Sequence, residues 1–142
     1  MLDLIKRSNA IFMAEFDQLI TFLKVNDLSR SLRFYQEILG LPQVYARDGK
    51  VVILKANASS FIGLVPAELP AGAQRSSALT LIVKDADAWL PRLDLAGVPN
   101  KGKPIFKSEF GIYVLYASDP DGNTVEFLEM RDPDWPRAGN QA

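Results

Sequence analysis

Hydrophobic and polar residues alternate in two similar stretches of the chain, at 19–25 and 78–83. Successive side chains of a β-strand point to opposite faces, so this alternation predicts a strand in each stretch. Leu23 and Val25 share one face of the first strand, and Leu81 and Val83 share one face of the second. An apolar face must be covered, and we expect a helix to cover each of these two.

A helical pattern follows each predicted strand. After Asp27, a suitable N-cap, apolar residues recur at helical spacing as far as Leu39, and Gly40 can end the helix in a left-handed conformation. In the second stretch Asp85 is the cap and Gly97 the end. Proline is tolerated only in the first turn of a helix, so Pro91 predicts a short or bent second helix.

These two stretches begin a repeat that covers most of the chain. Residues 23–32 match 81–90, and 39–42 match 96–99. Three candidate strands follow each helix, at 43–47, 50–56 and 60–66, and then at 104–107, 111–118 and 123–130. The predicted fold is α+β, with two βαβββ units at 17–66 and 78–130. The other segments are an N-terminal extension (1–16), a linker (67–77) and a polar tail (131–142).

The amino-acid composition excludes several kinds of site and partner. The 142 residues include no Cys and no His, which excludes disulfides and thiolate sites and removes the commonest metal ligand and general base. Sixteen basic and 17 acidic residues give a net charge of -1, without the basic excess that nucleic-acid binding needs. No apolar run approaches the roughly 20 residues of a membrane span, so we expect no membrane partner and a cytoplasmic location.

Two motifs carry a family resemblance. The helix end 34–41 begins Phe34-Tyr35 and closes Gly40-Leu41, and the turn 119–123 reads Asp-Pro-Asp-Gly-Asn. With the repeat, they make residues 17–130 resemble the vicinal oxygen chelate superfamily, which includes glyoxalase I, extradiol dioxygenases and bleomycin-resistance proteins. The resemblance implies two curved mixed sheets, each a half-barrel, with helices on the outer face and a pocket enclosed by the units. It also implies a homodimer.

The resemblance places the family's metal ligands at four positions. They fall on Ile20, Gly63, Ala78 and Glu126, of which only Glu126 has a donor atom in its side chain. One carboxylate cannot hold an ion that needs four to six ligands. We therefore expect no metal and no cofactor.

Strand alternation and the resemblance together predict an apolar, aromatic ligand site. The residues of this site lie on the strand faces that carry the four metal positions. They are Phe22, Lys24, Phe61, Thr80, Val114, Tyr116, Glu126 and Leu128. The same side chains could instead fill the barrel. Glu126 could be an acid-base catalyst, a hydrogen-bond acceptor or a solvated surface residue. Lys24 could bind an anionic group or simply be exposed.

Three functions remain open at this point. The first is a metal-free protein that sequesters or carries an apolar or aromatic, antibiotic-like small molecule. Bleomycin itself fits poorly, because a cationic glycopeptide favours an acidic cleft. The second is a lyase- or isomerase-type enzyme that uses Glu126 with Tyr116 or Lys24. The third is a protein-interaction module with no ligand, which a filled barrel would favour.

Overall fold

The computed structural model describes residues 15–70 and 78–136, and these form two units with the same order of elements. The first unit comprises β1 (Leu19–Val25), α1 (Leu28–Leu32), a π-helical segment (Arg33–Ile38), β2 (Gln43–Arg47), β3 (Val51–Asn57) and β4 (Ser60–Pro66). The second comprises β5 (Ala78–Ile82), α2 (Trp89–Leu95), β6 (Ile105–Lys107), β7 (Ile112–Ser118) and β8 (Thr124–Met130). The strands agree with the predicted ones to within one or two residues.

Each unit forms a four-stranded mixed sheet. The strand orders are β1-β4-β3-β2 and β5-β8-β7-β6. The first strand of each unit runs parallel to the last, and the remaining pairs are antiparallel. The predicted α+β fold with two half-barrel units is confirmed. Most of the predicted N-terminal extension, part of the linker and half of the tail lie outside the described residues.

The first helix begins and ends as predicted but changes its winding. The Asp27 side chain accepts a hydrogen bond from the Arg30 N–H at 3.1 Å, and Gly40 ends the helix with φ at 79°. A regular α-helix was expected between Asp27 and Gly40, and that expectation is wrong. The Leu39 N–H bonds to the Phe34 carbonyl, five residues back, at 3.0 Å. The wider turn allows Phe34 and Tyr35, adjacent in sequence, both to be buried.

The second helix is short, as Pro91 predicted. It begins at Trp89, so Pro91 lies in its first turn. The N–H groups of a first turn have no helical partner, and the N–H that proline lacks therefore costs no helical hydrogen bond. Asp85 accepts a hydrogen bond from the Ala88 N–H at 3.2 Å and caps the turn that leads into the helix. Gly97 follows the helix with φ at 72°.

The helix-facing sides of the two sheets share one apolar core. Leu23 and Val25 of β1 are buried there, together with Val125 and Phe127 of β8. The Trp89 ring stacks on Phe127 with centroids 4.7 Å apart, on the helix-facing side of the second sheet. Burying each such side chain contributes about 1.5–3 kcal/mol.

The turn at 119–123 is the polar link between the units. The Tyr35 hydroxyl donates to Asp119 at 2.6 Å, and Asp119 also accepts hydrogen bonds from both the backbone and the side chain of Asn123. Asp121 accepts from the Asn26 N–H at 3.0 Å and pairs with Arg30 at 3.2 Å. The first helix is thereby held against the second unit. Neither helix in the described part of the chain is long and apolar enough to cross a membrane.

Candidate functional site

The face of each sheet turned away from the helices carries the predicted site residues. We call these two surfaces the open faces. On the first, cross-strand register pairs Ile20 with Phe61, Phe22 with Gly63 and Lys24 with Val65. On the second it pairs Thr80 and Tyr116 with Glu126, and Val114 with Leu128. Paired residues lie on the same side of a sheet. Three of the eight predicted residues therefore belong to the first face and five to the second.

An aromatic ring covers the backbone of the first open face. The Phe22 ring lies over Gly63, and a Cβ at position 63 would overlap ring atoms Cδ1 and Cε1. Gly63 is buried beneath this ring, while Phe22 itself is 57% exposed. Glycine at position 63 thus makes space for the Phe22 ring and does not serve a left-handed backbone. The position that the family resemblance assigns to an acidic ligand is closed by an aromatic surface.

A polar cluster lies on the second open face. The Thr80 hydroxyl donates to Glu126 Oε1 at 2.9 Å, and Tyr116 lies directly opposite Glu126 on the neighbouring strand. Lys107 Nζ lies 5.1 Å from the centre of the Tyr116 ring. The interaction with Tyr116 is the main cause that raises the pKa of Lys107, with smaller contributions from the charges of Glu109 and Glu126. Lys107 is therefore a cation at neutral pH.

Sequence reasoning missed Lys107. The alternating Ile105-Phe106-Lys107 and the following hairpin could have indicated it, because Lys107 pairs with Ile112 and so shares the face of Tyr116. The sequence could not indicate that the Lys107 side chain extends from β6 to the Tyr116 ring on β7.

The eight predicted residues differ in accessibility. Val114 and Leu128 are buried, at 0% and 5% exposure, so the second face is closed at these two positions. Glu126 and Tyr116 are half-buried, and Phe22 and Lys24 are exposed. The structure brings Thr80, Tyr116 and Glu126 into one cluster and places Lys24 on the other sheet, away from them.

A cleft of about 410 Å³ opens between the two units. Both first strands contribute to it, and its walls are largely apolar, with Leu39, Leu81 and Trp89 among them. Two of the predicted residues, Phe61 and Thr80, line this cleft from opposite units. Its volume falls within the range of pockets that bind small organic molecules.

The donor atoms that a metal would need are missing from the family's metal positions. Ile20, Gly63 and Ala78 have no donor in their side chains, and the fourth position, Glu126, accepts a hydrogen bond from Thr80. Within 15–70 and 78–136, no group of three or more acidic residues is arranged to hold an ion. These residues do not fit the metal that the fold implies.

Known proteins share this architecture. Residues 16–127 match the model of the Glyoxalase/Bleomycin resistance protein/Dioxygenase superfamily. The uncharacterized protein YraH of Bacillus subtilis (strain 168) is 30% identical over 120 residues, which are 76% of this chain and 94% of that protein.

Two solved structures show the same fold. Lactoylglutathione lyase from Agrobacterium tumefaciens superimposes with a TM-score of 0.67 at 24% identity, covering 82% of this chain and 96% of that one. The oxidase ChaP-H2 superimposes with a TM-score of 0.66 at 20% identity, covering 82% and 94%.

The fold and the open faces define a protein of two paired βαβββ units. The chain belongs to the Glyoxalase/Bleomycin resistance protein/Dioxygenase superfamily.

Proposed function

We propose that the protein binds an apolar or aromatic small molecule without a metal and sequesters or carries it. The observation that carries this proposal is the Phe22 ring lying over Gly63. Where the family resemblance expects a metal ligand, this chain presents an exposed aromatic ring. Aromatic rings favour stacking with planar partners, and their apolar area contributes about 25 cal/mol per Å² removed from water.

The surroundings of Phe22 support the same function. Phe61 and Ile20 lie beside it on the first open face. The apolar 410 Å³ cleft lies mainly on the helix-facing side of the sheets and includes Phe61 in its lining. The polar groups near this surface are few and lie together around Glu126 on the second sheet. Apolar walls with a few grouped polar atoms are typical of sites for small organic ligands.

The expected homodimer is part of this proposal. Phe22, Tyr45, Ile82 and Ile105 are each about half exposed on the open faces of the single chain. Apolar surface of this extent favours association with a second copy, which would close the ligand site. Light scattering after size exclusion measures the mass directly. A monomer would contradict this part of the proposal.

The expected cytoplasmic location is a separate part of the proposal, and cell fractionation tests it.

An enzyme of lyase or isomerase type is the second candidate, favoured by the cluster around Glu126. Its carboxylate, oriented by Thr80, could take a proton from a carbon acid, while the Tyr116 hydroxyl donates a hydrogen bond to the developing oxyanion. Two similar structures are a lyase and an oxidase by name. In this case Glu126→Gln abolishes a pH-dependent turnover and retains substrate binding.

The binding function is tested with tag-free protein. Elemental analysis first establishes the metal content, and a library of aromatic compounds is then screened by thermal shift and calorimetry. We expect metal-free protein that binds planar apolar compounds. Phe22→Ala should weaken binding about tenfold through lost stacking and apolar contact. Phe110→Ala is the matched control, because Phe110 is similarly exposed, at 59%, but lies in a turn. Stoichiometric metal, or equal effects of both variants, would refute the proposal.

A further inference from the structure

The charged residues in the strands of the first sheet are all cations. These four strands contain Lys24, Arg47 and Lys55 and no Asp or Glu. By cross-strand register all three cations lie on the first open face, which also carries Phe22. The strands of the second sheet instead contain one lysine and two glutamates. Within a chain of net charge -1, the sheet with the exposed aromatic ring is therefore the positively charged one.

These three cations have no ionic partner in the part of the chain that the structure describes. The two ion pairs found there involve other residues. Asp48 follows Arg47 in sequence, but it lies in the turn after β2 and makes no ion pair with it. All three cations are exposed to solvent. The first open face therefore presents positive potential next to aromatic surface, and such a combination attracts an anion with an apolar body.

Protection of strand edges accounts for only part of this pattern. Exposed edge strands often carry lysine, which opposes pairing with another chain. Lys24 and Arg47 lie on β1 and β2, the two edges of the first sheet. Lys55 lies on β3, an interior strand, where no edge needs protection. Edge protection therefore does not explain the complete set of three cations on one face.

A line of paired residues crosses all four strands and carries an aromatic ring at each end. It consists of Phe22, Gly63, Ile53 and Tyr45. The Phe22 and Tyr45 side chains are 57% and 47% exposed. Because β1 and β2 run in the same direction, Lys24 and Arg47, each two residues beyond an aromatic residue of the line, lie at the same end of the sheet. The aromatic line is thus bordered on one side by two cations.

We propose that the first open face binds an organic anion, with the oxyanion held by Lys24 and Arg47 and a planar apolar body lying between Phe22 and Tyr45. The proposal rests on the binding function above and specifies the class of ligand. Three strand spacings, about 14 Å, separate β1 from β2. Both cationic side chains are long enough to extend over the neighbouring strand, so an oxyanion above the middle strands can contact both. The guanidinium donates two parallel hydrogen bonds to a carboxylate or phosphate, and the ammonium adds a further donor.

The third cation lies on the other side of the aromatic line. Lys55 pairs with Phe61, and Phe61 pairs with Ile20, two residues before Phe22 on β1. One cation attracts an oxyanion less strongly than two at a similar distance. The ligand is therefore oriented with its charged end towards Lys24 and its apolar body over the aromatic line.

Single-stranded nucleic acid also binds to cations interleaved with aromatic rings. The small anion is favoured here because the strands of the first sheet supply only three cations, and those of the second sheet carry more acidic than basic residues. Oligonucleotide binding is therefore an outcome that the test must detect.

Calorimetry on the full chain with matched probes tests the proposal. 2-Naphthoate carries a carboxylate, and 2-naphthamide has nearly the same shape without charge. We expect naphthoate to bind about tenfold more tightly, with an affinity that falls as salt is added. Lys24→Gln and Arg47→Gln should each reduce this preference, and the double variant should remove it and leave naphthamide binding unchanged. Lys103→Gln, at an exposed position outside the strands, is the matched control and should leave both affinities unchanged.

A third probe, 2-naphthyl phosphate, distinguishes the two oxyanions. Tighter binding of the phosphate than of naphthoate, lost in the double variant, supports the same pair of cations with phosphate as the group they bind. Weaker binding of the phosphate supports a carboxylate.

Each other result has a defined meaning. Binding of naphthamide as tight as that of the anionic probes, or equal effects of the double variant and Lys103→Gln, overturns the anion proposal and leaves the metal-free binding function intact. A preference that is lost in Lys107→Gln and kept in the double variant overturns it as well, because the anion would then lie on the second open face. Failure of wild-type protein to bind any probe overturns both proposals. Binding of a labelled oligo(dT) that is weakened by the double variant overturns the anion proposal in favour of nucleic acid. Thermal unfolding of each variant establishes that it is folded.

Discussion

At the scale of single residues, Gly63 and Tyr35 show how one position controls its surroundings. Gly63 has no left-handed backbone, and its missing side chain is what allows the Phe22 ring to lie against the backbone of the neighbouring strand. Tyr35 is fully buried, yet its hydroxyl has a partner in Asp119. In both cases the residue type follows from a neighbour that is distant in sequence.

We expect Gly63→Ala to change binding more than stability. The added methyl group displaces an exposed ring, which can rotate into solvent, so the free energy of unfolding should fall by about 1 kcal/mol or less. The displaced ring no longer offers its face, and the affinity for an aromatic probe should fall severalfold. Urea unfolding and calorimetry measure the two effects. A large loss of stability with unchanged affinity would contradict the assigned role of Phe22.

Tyr35→Phe should destabilise the protein by about 1–3 kcal/mol, because Asp119 loses a buried hydrogen-bond donor. Tyr113→Phe is a suitable control. Its hydroxyl donates to Asp87 at 2.7 Å in an exposed position, and its loss should matter less. Comparable losses in chemical denaturation of the two variants would show that burial is not the deciding factor.

Tyr35 also predicts a dependence of stability on pH. Burial, followed by the charge of Asp119 and the hydrogen bond to it, raises the pKa of Tyr35. Above its ordinary pKa of about 10, the unfolded chain releases a proton that the native protein retains, so stability falls as pH rises. The difference between wild type and Tyr35→Phe should therefore shrink between pH 9 and about 11. Urea unfolding across this range measures it, and a constant difference would contradict the raised pKa.

At the scale of elements, caps and alternation define most boundaries. Asp27 caps the first helix as expected, and Gly40 and Gly97 adopt positive φ after each helix. Asp85 caps only the turn before the second helix, whose own N-cap position is Ala88. Strand alternation also assigned the faces correctly, because a period of two is a local property of the backbone. The π-helical segment was not predictable, because it depends on burying Phe34 and Tyr35 together against the second unit.

Gly97→Ala should cost about 1–2 kcal/mol through the backbone alone. With φ at 72°, an L-residue is strained, although a Cβ at this position would meet no atom within 4 Å. Gly97→Asn, which tolerates the left-handed region better, should recover part of the loss. Equal stabilities of the two variants in thermal unfolding would exclude backbone strain as the cause.

At the scale of the whole molecule, the two units are joined by a shared core and by the 119–123 turn. Asp121 accepts hydrogen bonds from Asn26, Arg30 and Ser31 of the first unit, and its side chain is completely buried. These contacts join residues that are 90 to 95 positions apart in sequence. They therefore contribute to the mutual position of the open faces, on which the proposed ligand depends.

Asp121→Ala should lower the free energy of unfolding by about 1–3 kcal/mol and weaken the cooperativity between the units. Asp134→Ala, at an exposed position in the C-terminal segment, is the control and should have little effect. Fluorescence of Trp89, in the second unit, measured in a Trp135→Phe background, and circular dichroism of the whole chain report the two transitions. Coincident transitions at wild-type stability would contradict a linking role for Asp121.

The sequence by itself determined the repeat, the α+β class, the Asp27 cap, the glycine helix ends and the sheet faces, since each of these depends on residues close together in the chain. It also indicated that the family's metal ligands are replaced at Ile20, Gly63 and Ala78. Only the tertiary structure decided that Phe22 covers Gly63, that Lys107 reaches Tyr116 and that Asp119 binds Tyr35. These contacts join different strands or different units, and their geometry follows from how the sheets pack and not from any local pattern.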